Sequence, residues 1–101
     1  MTVAGDLLRR AATLVEGDRA EQNGDVVVNA SNIARFWSAY LTSKFGHEVQ
    51  LSASDALSMM EMFKIARRLS GAFNADDYLD GAGYAGLAYQ CALAERKLAS
   101  D

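Results

Sequence analysis

Two aspartates three residues apart, Asp77 and Asp80, stand in the stretch DDYLDGAGYAGLA (76–88). On a helix that spacing puts both carboxylates on one face. Two carboxylates so placed can share a hard divalent cation such as Mg²⁺. Earlier in the chain, KIARR (64–68) supplies Lys64, Arg67 and Arg68, and Glu61 lies on one i, i+3, i+7 stripe with Lys64 and Arg68. If the two helices pack antiparallel, the basic stripe faces the acids. Two outcomes stay open: salt bridges between helices, or a site where acids hold metal and Lys64 or an arginine meets phosphate. Asp76 and Asp77 also suit a helix's first turn, where a carboxylate offsets the dipole.

The same stretch contains Gly81, Gly83 and Gly86. GAGYAG (81–86) spells G-x-G-x-x-G, but a dinucleotide loop must follow a strand and open a helix, and here DDYLD precedes it. Within a helix, three glycines cost about 3 kcal/mol against alanine, so something must offset them. Close approach of another helix is one explanation, and a cleft floor that admits a ligand is the other.

The elements that must position these residues are helices. Val3, Leu7, Leu8, Ala11, Leu14 and Val15 recur at helical spacing, and that first helix fades at Gly17. GDRAEQNGD (17–25) is a loop by composition. Ile33, Phe36, Trp37, Tyr40, Leu41 and Phe45 trace one face of a second helix that Gly46 ends; Trp37 and Tyr40 either belong to its core or line a pocket that stacks a base. After a connection at 47–54, Ser52 and Asp55 resemble a capping box that opens a third helix ending near Gly71. Asn74 caps a fourth helix running to about Ala99. Four helices with short links predict one all-α domain, a compact four-helix bundle.

Composition narrows the function classes. The chain has 101 residues, half of them hydrophobic, no proline and a net charge of −3. One core fits that length, and the acidic balance argues against a protein built to coat nucleic acid. The single cysteine, Cys91, permits no internal disulfide and predicts a reducing compartment. No apolar run approaches the roughly 20 residues that span a bilayer, and no secretory signal is evident at the start. A cytoplasmic protein is expected. His47 stands alone, without a second histidine for a metal site, and Cys91 has no histidine placed to activate it.

GDR (17–19), GD (24–25), Asn29, IARFWSAYL (33–41), DALSMMEMFKIAR (55–67) and DDYLDGAGYAGLA (76–88) together resemble a family of small phage and prophage proteins of unassigned function. That family looks like the nucleotide-modification-associated phage proteins. More remotely it looks like the MazG-type all-α nucleotide pyrophosphohydrolases, helical oligomers that bind Mg²⁺ through carboxylates on two helices. The resemblance implies a MazG-like, oligomeric fold. It marks Arg19, Asn29, Lys64, Arg67 and Tyr84 for nucleotide and phosphate binding, and Asp77, Asp80, Asp25 and Glu61 for Mg²⁺ or Mn²⁺. In the enzymes an E-x-x-E pair on the first helix supplies half the ligands. Here that helix has Glu16 but no such pair.

The expected function is therefore binding of a nucleotide or nucleotide-derived molecule, with Mg²⁺-dependent pyrophosphohydrolysis if the carboxylates assemble. The alternative is a non-catalytic phage protein that sequesters a host signalling nucleotide or blocks a host protein. A homo-oligomer is expected in either case.

Overall fold

In the computed structural model, residues 1–17 and 25–100 are described, and they form four helices with no strand among them. These are α1 (Val3–Glu16), α2 (Val26–Phe45), α3 (Ala53–Arg67) and α4 (Ala75–Ser100). The four-helix bundle expected from periodicity is borne out. No helix among the described residues is long and apolar enough to cross a membrane.

Each helix starts on a polar side chain that satisfies backbone donors the helix cannot. Thr2 accepts from the Gly5 N–H at 2.9 Å. Asp25 Oδ1 accepts from Val27 and Val28 at 2.8 and 3.2 Å. Ser52 and Asp55 form a reciprocal capping box, and Asn74 accepts from the Asp76 N–H at 2.9 Å. Gly46, with φ of 75°, closes α2 in a left-handed turn that other residues resist.

The second helix begins about two turns earlier than its aromatic periodicity suggests. VVVNASN (26–32) contains three β-branched valines, poor helix formers. The Asp25 cap and the burial of Ala30 override that preference, with Val26 and Val27 packed partly against the core. The segment 26–29 is therefore the first turn of α2. The third helix stops slightly sooner than expected, at Arg67, before a turn that reaches Gly71.

The order of contacts matters for the site. α3 and α4 pack most extensively, α2 packs on α3 and lightly on α4, and α1 packs on α4 alone. After Gly46 the chain runs back along α2: Thr42 Oγ1 accepts from the Val49 N–H at 2.9 Å, and Ser38 Oγ accepts from the Leu51 N–H at 2.8 Å. The core joins Ala30, Ala53, Leu57, Ala88 and Cys91. Cys91 is the largest fully buried side chain among the described residues.

Of the two aromatics read as core of the second helix, Trp37 is partly buried but Tyr40 is 65 % exposed, as are Phe36 (78 %) and Phe45 (58 %) along the same helix. The short residues Ala30 and Ala34 make the buried face instead. Alanine lets α3 approach closely, and the aromatics are turned aside.

Candidate functional site: a pocket between α1, α2 and α4

The antiparallel packing of α3 and α4 sets the basic stripe against the acids. Lys64 Nζ lies 2.9 Å from Asp80 Oδ2, with both side chains about seven-eighths buried (13 and 15 % exposed). Arg67 Nε lies 3.4 Å from Asp77 Oδ1. The Asp77 side chain is only 4 % exposed, whereas Arg67 is half in solvent at 52 %. Asp77 Oδ1 makes no hydrogen bond of good geometry, so the Arg67 contact there is a charge pairing rather than a directed bond. The two arginines also rest on rings: Arg67 stands 5.8 Å over Phe63, and Arg68 stands 4.2 Å over Tyr78. The salt-bridge outcome is thus the one the fold adopts.

The glycines divide between two roles. A Cβ at Gly81 would meet Arg68 Nη2 at 3.3 Å and Lys64 Cβ at 3.7 Å, so Gly81 lets the two charged side chains of α3 lie against α4. A Cβ at Gly83 would meet Val15 of α1 at 3.5 Å, ordinary contact. At Gly86 it would meet nothing. Close approach therefore explains Gly81 alone.

Gly83 instead lies on the wall of a cavity of about 510 Å³ between α1, α2 and α4, with Leu57 and Met60 of α3 behind it. Its polar lining comes from Asp25, Asn29, Asp80, Tyr84 and Gln90, and the remainder is aliphatic. α1 and α2 do not touch, and the cavity occupies the space between them. A second, shallower groove of about 320 Å³ runs between α1 and α4, over Gly83, Gly86 and Gln90. Four of the residues marked in the sequence meet at the larger cavity: Asp25, Asn29, Asp80 and Tyr84. Lys64 reaches it through its bond to Asp80, and Arg67 and Asp77 sit nearer the start of α4. Arg19 lies outside the described residues.

The carboxylates that the resemblance implies for a cation are not brought together among the described residues. Among the described residues no three His, Cys, Asp or Glu side chains come together in a way that could hold a metal ion. Asp77 is turned to Arg67, Asp80 to Lys64, and Asp25 spends Oδ1 on the cap of α2. Glu61 is half-buried and makes no ion pair among the described residues. Asp77, Asp80 and Asp25 thus each already answer a cation or a backbone end.

Two features were missed in the sequence. Gln90 lines both cavities, and its position seven after Gly83 and four after Gly86 places it on their face. Glu95 reaches across to the start of α3, accepting from the Ser54 N–H at 3.0 Å and the Ser54 hydroxyl at 2.6 Å. Nothing in local spacing couples residues 41 apart. Below this link Cys91 is buried, and burial first, then the charges of Glu95 and Asp25, push its thiol above the ordinary value. Its inertness, expected from the lack of an activating histidine, follows from the same surroundings.

Residues 6–92 match the family described as Domain of unknown function (DUF6378). The chain belongs to that family. It is 36 % identical over 89 residues to the Gene 55 protein of Mycobacterium phage L5, covering 88 % of this chain and 54 % of that protein. It is 34 % identical over 80 residues to the Gene 55 protein of Mycobacterium phage D29, covering 79 % of this chain and 49 % of that protein. The chain spans about half the length of these relatives. No solved structure gives a significant match. The resemblance to phage proteins of unassigned function is borne out at the level of the family, whereas likeness to the MazG-type enzymes is not shown.

Proposed function

We infer that this DUF6378 chain is a phage-type binding protein whose pocket takes a nucleotide-derived small molecule without cleaving it. The observation that carries this reading is the convergence of Asp25, Asn29, Asp80, Tyr84 and Gln90 on one cavity with aliphatic walls. A volume of about 510 Å³ falls within the roughly 300–1,000 Å³ usual for small-ligand sites, and mostly apolar walls with a few polar groups are their common makeup. Carboxylate acceptors and side-chain amides suit the edge of a nucleobase, and the Tyr84 ring suits its face.

Charge sets the direction of entry. Among the described residues the charged groups on the lining are Asp25 and Asp80; Lys64 balances one and the start of α2 the other. These lining residues offer a phosphate no cation, so base and sugar enter and phosphates stay at the open side. Hydrolysis would need a cation that the described carboxylates do not assemble to hold. Sequestration is the activity this arrangement supports.

The test incubates the protein with pooled nucleoside triphosphates, deoxynucleotides and cyclic nucleotides, with and without Mg²⁺ or Mn²⁺. Free nucleotides are then quantified by chromatography before and after heat denaturation. A nucleotide that disappears and returns intact on heating is the expected result. One that returns as monophosphate and pyrophosphate makes the protein an enzyme instead. If no nucleotide is depleted, the nucleotide reading fails and a host protein becomes the better partner.

A further inference from the structure

α1 is held differently from the other three helices. Among the described residues it makes no hydrogen bond or ion pair to another helix: Thr2 bonds to Gly5 and Thr13 to Arg9, all within or at the start of α1 itself. α3 and α4, by contrast, are joined by Lys64–Asp80 and Arg67–Asp77 at one end and by Ser54–Glu95 at the other. α1 packs on α4 alone, and Ala11 is its one fully buried residue. Leu8, in the middle of the helix, is 58 % exposed.

The two cavities show how narrow that packing is. Ala11 and Val15 of α1, with Gly83, Leu87 and Gln90 of α4, line both the pocket and the shallower groove. They form one seam, where a Cβ on Gly83 would come within 3.5 Å of Val15. Space lies on each side of it. Leu14 faces the pocket only, whereas Leu8 and Ala12 line the groove with Ala82 and Gly86, and a Cβ on Gly86 would meet nothing. A helix seated on one seam of mostly small residues, with voids on both flanks, has few dispersion contacts to lose when it lifts. Few buried apolar contacts mark the segments that open ahead of the rest of a fold.

We propose that α1 is the gate of the pocket: it lifts from α4 as a unit, ahead of global unfolding, and so removes the wall that Ala11, Leu14 and Val15 provide. The other walls stay in place, because α3 and α4 are joined at both ends and α2 packs on both of them. Elements that admit ligands are drawn from the least stable part of a fold, since binding and release need them to move. A bound molecule would touch α1 and α2 together, two helices that otherwise do not meet. Occupancy therefore holds the gate shut, because the lifted state forfeits those contacts. A nucleotide as the occupant rests on the reading given above, but the lifting of α1 does not.

The deciding experiment is amide hydrogen exchange on the whole chain without ligand, resolved by residue. Amides at 7–16 should share one opening and exchange about tenfold or more faster than those in the middle of α3 and α4. Gly86→Leu places a side chain in the groove against Leu8 and Ala12, outside the pocket lining, and should slow α1 towards the rate of α4. Should that variant not fold, Ala12→Leu fills the same groove from α1. Wild-type α1 amides as protected as those of α3 and α4 would overturn the gate. So would rates graded smoothly from the first residue, which mark fraying, or fast exchange that filling the groove leaves unchanged. Adding pooled nucleoside triphosphates separates the two readings. If they are retained, α1 should slow; retention with α1 unchanged refutes the gate and leaves binding standing. No retention, with α1 still opening as a unit, refutes the nucleotide and leaves the gate standing.

Discussion

At the scale of single residues, the Asp77–Arg67 contact is asymmetric, and the asymmetry has consequences. Asp77 is buried and Arg67 is half in solvent, so loss of each partner leaves a different remainder. Arg67→Ala strands a buried carboxylate with no directed hydrogen bond on Oδ1, at a cost of about 1–3 kcal/mol. Asp77→Asn keeps the shape and removes the charge, and should cost less. Urea unfolding of the two variants tests this order, and a more harmful Asp77→Asn would show that the pairing is not what balances the site. Gly86 offers the opposite case. Nothing lies near its missing Cβ, so Gly86→Ala should stabilise α4 by about 0.5–1 kcal/mol and raise Tm by several degrees. A drop in Tm would mean that a partner occupies the space.

At the scale of elements, the α3–α4 pair is held from both ends. Lys64–Asp80 and Arg67–Asp77 lie at one end, and Ser54–Glu95 at the other, with Cys91 between Glu95 and the core. The raised thiol of Cys91 makes this pairing sensitive to alkali. A folded-state value above the unfolded 9.0 means that the stabilisation is complete below pH 9.0 and is lost as pH rises through the folded value. Urea midpoints of the wild type should therefore fall above pH 9 more steeply than those of Cys91→Ala. Parallel curves would show that the thiol does not contribute. The start of α3 has its own check: Ser52→Ala removes half of the capping box and should cost about 1 kcal/mol.

At the scale of the whole molecule, the pocket lies between α1, α2 and α4. Among the described helices α1 packs on α4 alone, so α4 supplies the wall that both sides of the pocket share. In the pocket, Tyr84→Ala should weaken nucleotide retention by about 5- to 150-fold, the equivalent of a lost stacking contact of about 1–3 kcal/mol. Met62→Ala, at an exposed residue that does not line the pocket, should leave retention unchanged.

Much of this architecture was legible in local sequence because its signals are local. The Ser52–Asp55 box, the Asn74 cap, Gly46 and the acidic start of α4 act over three or four residues, and each stands where the sequence put it. The facing of KIARR and DDYLD was also legible, since antiparallel neighbours bring opposite stripes together. The start of α2 was not: three valines disfavour a helix on their own, and only the Asp25 cap and the buried Ala30 reverse that preference. The fate of the acids likewise waited for the fold. Spacing says that Asp77 and Asp80 share a face, but distances of 3.4 and 2.9 Å to Arg67 and Lys64 decide that they answer cations of α3 rather than share a metal. Sequence alone determined the helices and which residues could meet. Tertiary packing decided which ones did, because burial and charge pairing depend on neighbours that are distant along the chain.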